Sequence, residues 1–126
     1  MKPPKLDKLK KIAVAALEDI KAEDVEVLNV SKLTSLFDVM IIASADSTRQ
    51  VKALANNVQV KVKEAGGEVY GVEGEQQGEW VLVDLGDVVV HIMQPAVRAY
   101  YNLEQLWGAA QEQKSGKASK KAAAEQ

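Results

Sequence analysis

GEWVLVDLGDVVVHIMQP, residues 78–95, is the most apolar stretch of the chain. A strand with one wet face alternates apolar and polar residues, because successive side chains point to opposite faces. The runs 80–85 (WVLVDL) and 88–93 (VVVHIM) scarcely alternate. They predict an antiparallel hairpin, joined through Leu85-Gly86-Asp87, with apolar side chains on both of its faces. Trp80, Leu82 and Asp84 share one face of the first strand, and Val81, Val83 and Leu85 share the other. In the second strand Val88, Val90 and Ile92 lie together, as do Val89, His91 and Met93. The Val81/Val83/Leu85 side is purely aliphatic and suits a core. The Trp80 side sets a large aromatic beside a carboxylate, which is the make-up of a contact surface with an aromatic anchor. Alternatively, the chain's own C-terminal segment, with Tyr100, Tyr101 and Trp107, covers Trp80.

Upstream of the hairpin, Leu6, Leu9, Ile12, Ala13, Ala16, Leu17 and Ile20 recur at helical spacing and predict an amphipathic helix over residues 5–21. Residues 24–30 (DVEVLNV) alternate as a strand does, and 37–43 (FDVMIIA) is nearly unbroken, as in a buried central strand. Ser47 and Gln50 stand at capping-box spacing. Val51, Leu54, Ala55, Val58, Val62 and Ala65 then mark one helix face, which Gly66-Gly67 ends. Residues 68–72 (EVYGV) predict a short strand, 74–78 a polar loop, and Pro95 opens a short helix over 95–101. Leu103, Leu106 and Trp107 predict an apolar segment docking back on the body. The order α, β, β, α, β, β, β, α predicts an α/β sandwich with a mixed sheet of about five strands. The two long helices and the short one are expected to be needed on one face of it.

The 126 residues suffice for one domain, expected over 1–110, followed by a lysine- and alanine-rich mobile tail, 111–126. Cysteine is absent, which excludes disulfides, zinc–thiolate sites and cysteine nucleophiles. The start, MKPPKLDKLKK, holds no apolar signal core, and no run is long enough to span a bilayer, so a cytoplasmic protein is expected. Net charge is only −2, yet between Glu64 and Glu104 eight acids face Arg98 alone. Such a surface repels phosphate and suits a basic protein partner, or serves solubility alone.

Candidate chemistry is thin. His91, the single histidine, has Asp84 and Asp87 nearby in sequence and Ser44 and Ser47 further off, but no nucleophile elbow. Asp38, Asp46, Asp84 and Asp87 could in principle hold Mg²⁺ for a nucleotidyltransferase-like enzyme. Asp38, however, stands alone among apolar neighbours, and Asp84 and Asp87 straddle a turn, where aspartate serves the backbone. The 44–50 stretch, SADSTRQ, lacks the glycines and lysine of a phosphate loop. The arginines, Arg49 and Arg98, are far apart, so no specific nucleic-acid contact is expected beyond a weak one through tail lysines 114, 117, 120 and 121.

Four blocks in order, DVMIIASADSTRQVKALA (38–55), GVEG (71–74), EWVLVDLGDVVVHIMQ (79–94) and YNLEQLW (101–107), closely resemble the ribosomal silencing factor (RsfS, Iojap-like) family over about residues 5–108. The one departure is the turn at Ala43-Ser-Ala-Asp46, which in the family is rich in threonine and glycine. The resemblance implies a nucleotidyltransferase-like sandwich without an active site, no enzymatic activity, no cofactor and no metal. It implies binding to the large ribosomal subunit through its fourteenth protein, at the face that meets the small subunit. That binding would block subunit joining and lower translation under nutrient limitation. A homodimer is implied for the free protein. Carried onto this chain, the candidate contacts are Trp80 as anchor, Leu82, Leu85 and Val89 as apolar surround, Asp84 and Asp87 as partners for lysine or arginine, and His91 beside them.

Overall fold

The computed structural model describes residues 4–107. Its elements are α1 (Leu6–Asp19), β1 (Glu23–Asn29), β2 (Val39–Ser44), α2 (Thr48–Glu64), β3 (Gly71–Glu73), β4 (Trp80–Asp84), β5 (Val88–Met93) and α3 (Pro95–Tyr101). The five strands form one mixed sheet in the order β1-β2-β5-β4-β3. The expected element order and mixed sheet are both present. Only β2 and β5 run parallel, from Val39 opposite Val88 to Ser44 opposite Met93. The hairpin is antiparallel, with Val81 opposite Ile92 and Val83 opposite Val90.

Burial explains why β2 and β5 read as unbroken apolar runs. They lie inside the sheet, paired on both edges, with α1 and α2 over one face and Val97, Leu103 and Trp107 over part of the other. All of β2 is buried, and in β5 only His91 is partly open. On one face, Leu9, Ala13 and Leu17 of α1 and Val51, Leu54, Val58 and Val62 of α2 pack on Val39, Ile41, Val81, Val83, Val90 and Ile92. Each large aliphatic side chain buried there contributes about 1.5–3 kcal/mol of transfer free energy.

Helix α2 starts where its cap stands. The Ser47 hydroxyl oxygen accepts the Gln50 backbone N–H at 3.1 Å. The Gln50 side-chain amide N–H donates to the Ile20 carbonyl and ties α2 to the end of α1. Asn57 makes a second tie, donating to the Ala16 carbonyl at 2.8 Å.

Two expectations change. Strand β3 is shorter than 68–72 and runs only over Gly71–Glu73, although the Tyr70 N–H already donates to the Asp84 carbonyl at 2.8 Å. The helices also do not share one face. Val97 of α3 packs with Met40, Ile42 and Met93, on the side opposite α1 and α2. Leu103 and Trp107 join it there, within a helical turn over 103–107. So the expected docking of the C-terminal segment holds for Leu103 and Trp107, while Leu106 is 66% exposed. The expected tail, 111–126, lies outside the described residues.

Candidate functional site

The second sheet face is covered at one end only. Over Met40, Ile42 and Met93 lie Val97, Leu103 and Trp107. Beyond them, toward the hairpin turn, the face opens into a groove of about 530 Å³. Met40, Trp80, Leu82, Val89 and His91 line its floor side, and Leu36, Phe37, Leu103 and Trp107 line its walls. The lining is mainly apolar, with Asp84 among the few polar groups.

Trp80 is half-buried and is held from two sides. Its indole N–H donates to His91 Nδ1 at 2.9 Å. The Tyr101 ring sits 4.8 Å from it, centroid to centroid, tilted by 47°. The C-terminal segment thus flanks the indole through Tyr101 without sealing it. Burial disfavours the charged imidazole and lowers the His91 pKa from 6.5 to about 4. At neutral pH the ring is uncharged, Nδ1 accepts from Trp80, and the proton resides on Nε2.

The other candidates separate by strand alternation. Leu82 and Asp84 are half-buried and line the groove. One Asp84 carboxylate oxygen accepts the Gly86 N–H at 2.9 Å, which is turn chemistry as expected of an aspartate there. Val89 is 8% exposed and lies on the groove floor. Leu85 is a correction. It is 3% exposed and belongs to the helix-covered core with Val81 and Val83, so it cannot contribute to the apolar surround. Asp87 is exposed at the hairpin turn, outside the groove lining, where its carbonyl accepts the N–H groups of Asp38 and Val39.

Sequence reasoning left out Leu36, Phe37, Met40 and the wall residues Leu103 and Trp107 as groove lining. Alternation within β2 carries the signal for Met40, since it places Met40 and Ile42 on one side and Val39, Ile41 and Ala43 on the other. Leu36, 81% exposed at the rim, has no such signal. Among the described residues no nucleophile pairs with His91, whose Nδ1 is engaged by Trp80. Among the described residues no three of His, Asp and Glu come together as a metal site would require.

Residues 3–126 match the family described as "Ribosomal silencing factor during starvation" (RsfS). The chain belongs to the ribosomal silencing factor family. It is similar to the "Ribosomal silencing factor RsfS" of Chromobacterium violaceum, at 63% identity over 103 residues, which is 82% of this chain and 84% of that one. A crystal structure from C. violaceum superposes with a TM-score of 0.82 at 62% identity, covering 83% of this chain and 88% of the other. A more distant relative, from Mus musculus, is "Mitochondrial assembly of ribosomal large subunit protein 1", 31% identical over 97 residues, or 75% of this chain and 42% of the relative. Ribosomal silencing factors regulate translation and are not enzymes, so the carboxylates Asp38, Asp84 and Asp87 need no catalytic account. Among the described residues no helix is long and apolar enough to cross a membrane.

Proposed function

We propose that this chain acts in the cytoplasm by binding the large ribosomal subunit through its fourteenth protein. The bound domain then stands where the small subunit must approach, and translation falls when nutrients are scarce. The observation that carries this reading is the open part of the second sheet face. There a half-buried indole and an apolar groove adjoin Asp84, while α1 and α2 fully cover the opposite face. An aromatic anchor in a groove beside a carboxylate suits a basic protein surface with an apolar centre. The acids of the same half, Glu68, Glu73, Glu75, Glu79 and Asp87, are exposed and would steer such a partner and repel bare RNA phosphate.

The mechanism needs no chemistry. A folded domain of this length has a radius of gyration of about 13 Å. Subunits that meet surface to surface cannot close over a body of that size. Occupancy alone sets the degree of silencing, so affinity and protein concentration determine the effect.

Trp80, Leu82, Asp84, Val89 and His91 are the contact residues of this reading, with Asp87 as an outlying charge. In the free protein a second copy would occupy the same face, supported by the exposed apolar rim at Leu36, Tyr100 and Leu106. Dimer and ribosome would then compete. Co-sedimentation of Trp80→Glu with purified large subunits tests the reading. The variant should keep a cooperative unfolding transition and lose binding. Normal binding by a folded Trp80→Glu would show that the wrong face has been assigned.

A further inference from the structure

Arg98 is 9% exposed and is the only charged residue among the described ones that is buried. It lies in α3, and it is not among the residues that line the groove. Its guanidinium spans two elements that otherwise have no polar tie. One terminal nitrogen donates to the Ser44 hydroxyl at 2.8 Å, at the end of the central strand β2. The Nε–H donates to the Glu104 carboxylate at 3.2 Å. Glu104 sits between Leu103 and Trp107, the two residues that form one wall of the groove.

The backbone delivers Glu104 to this position. Helix α3 ends at Asn102 with φ +50, a left-handed conformation that asparagine tolerates. The Asn102 N–H closes on the Arg98 carbonyl at 2.8 Å, and the chain reverses into the turn over 103–107. A turn this short has little stability of its own. Its apolar anchorage is two side chains, Leu103 on the Met40/Ile42/Met93 cluster and Trp107 tilted against Phe37 at 6.0 Å. A buried cation also strongly disfavours any arrangement that leaves it without its carboxylate. Ser44 fixes Arg98 to the sheet, and Arg98 fixes Glu104.

We propose that Arg98 is a positioning residue for the groove: by joining Ser44 to Glu104 it locks the 103–107 turn against the sheet and so sets the wall made by Leu103 and Trp107. The part of this inference that concerns binding rests on the function proposed above. Lysine is a poor replacement here, because its ammonium is a single point donor, whereas Arg98 reaches Glu104 from Nε and Ser44 from a terminal nitrogen of one rigid plane.

The test uses the full chain and two readouts. The chain's two tryptophans are Trp80 and Trp107, so Trp80→Phe leaves Trp107 as the sole indole fluorophore. In that background, Glu104→Ala should raise acrylamide quenching of Trp107 about twofold, and Arg98→Lys should do the same. The urea midpoint of the body should move little for Glu104→Ala, which leaves the helix-covered core untouched. With Trp80 restored, Glu104→Ala should bind large subunits about tenfold more weakly, and Glu104→Gln, which keeps an acceptor for Arg98, should recover part of that loss. Unchanged Trp107 quenching in Glu104→Ala overturns the inference. So does raised quenching with undiminished binding, provided that Trp80→Glu abolishes binding. Normal binding by Trp80→Glu would instead sink the functional reading, while the quenching result would still decide whether Arg98 holds the turn.

Discussion

Trp80 and His91 are diagonal neighbours across the β4–β5 hairpin, and the indole N–H of the first donates to Nδ1 of the second at 2.9 Å. Trp80 stands opposite Met93 in the ladder, and His91 opposite Leu82, so the bond crosses one register step on the open face. It fixes the imidazole tautomer and the plane of the indole together. An aromatic anchor whose orientation is set before binding loses less freedom on association.

That bond requires a neutral imidazole, because protonated Nδ1 is a donor and cannot accept. Burial holds the folded-state pKa near 4, below the ordinary 6.5. The unfolded chain therefore takes up the proton first as pH falls. Stability from this group is complete above about pH 7.5, declines as pH drops through 6.5, and is fully lost only below about pH 4, for a total on the order of 3 kcal/mol. His91→Gln keeps an acceptor for Trp80 but does not titrate. Urea unfolding at pH 7 and pH 5 should show a larger fall in the parent than in His91→Gln. Equal falls would mean that His91 is not the group responsible.

Gly86 turns the hairpin with φ +91, and a Cβ there would lie 2.8 Å from the Tyr70 ring. Gly86→Ala should lower the unfolding free energy by about 1–2 kcal/mol, from the left-handed backbone and the crowded ring together. Urea denaturation with an unchanged m-value checks this. No loss would mean that the turn relaxes freely.

In the helix-covered core, Leu54 of α2 is fully buried. Leu54→Ala should cost about 2–5 kcal/mol through lost burial and a residual cavity. Thermal unfolding would show this as a Tm lower by several degrees. A loss under 1 kcal/mol would show that the core collapses around the gap.

Asp84 has two roles that one substitution separates. Asp84→Asn keeps an oxygen to accept the Gly86 N–H, so the turn should hold and stability should change by less than about 1 kcal/mol. The negative charge is gone, so binding to large subunits should weaken about three- to tenfold at low salt. The difference from the parent should shrink near 0.5 M salt, where such steering is screened. Binding that is insensitive to Asp84→Asn at every salt concentration would remove the charge from the account.

Strands β2 and β5 and both long helices are legible in the sequence from the pattern that burial imposes. Strands covered on two faces give unbroken apolar runs, and helices covered on one face give a 3.6-residue period. Trp80, Leu82, Asp84, Val89 and His91 fall on one face by alternation alone. Leu85 is misread as a contact because its side chain follows the alternation of β4 one residue past the strand's end at Asp84, into the core rather than around the turn. The side taken by α3 is not legible either. Seven residues carry too weak a pattern, and the contacts α3 makes on that side, Val97 on Met40, Ile42 and Met93 and Arg98 with Ser44, are distant in sequence. Arg98 reads as a lone surface charge until that partner is known. Likewise Phe37 and Leu36 reach the groove only through the path of the loop before β2.

The most direct test of the central claim, that the open Trp80 face meets the large subunit's fourteenth protein, is site-specific photo-crosslinking. A benzophenone amino acid placed at Leu82, inside the groove, would be irradiated with purified large subunits bound. A crosslink to the fourteenth large-subunit protein is the predicted result. A crosslink-free position 82 on bound subunits, or capture of a different ribosomal protein, would contradict it.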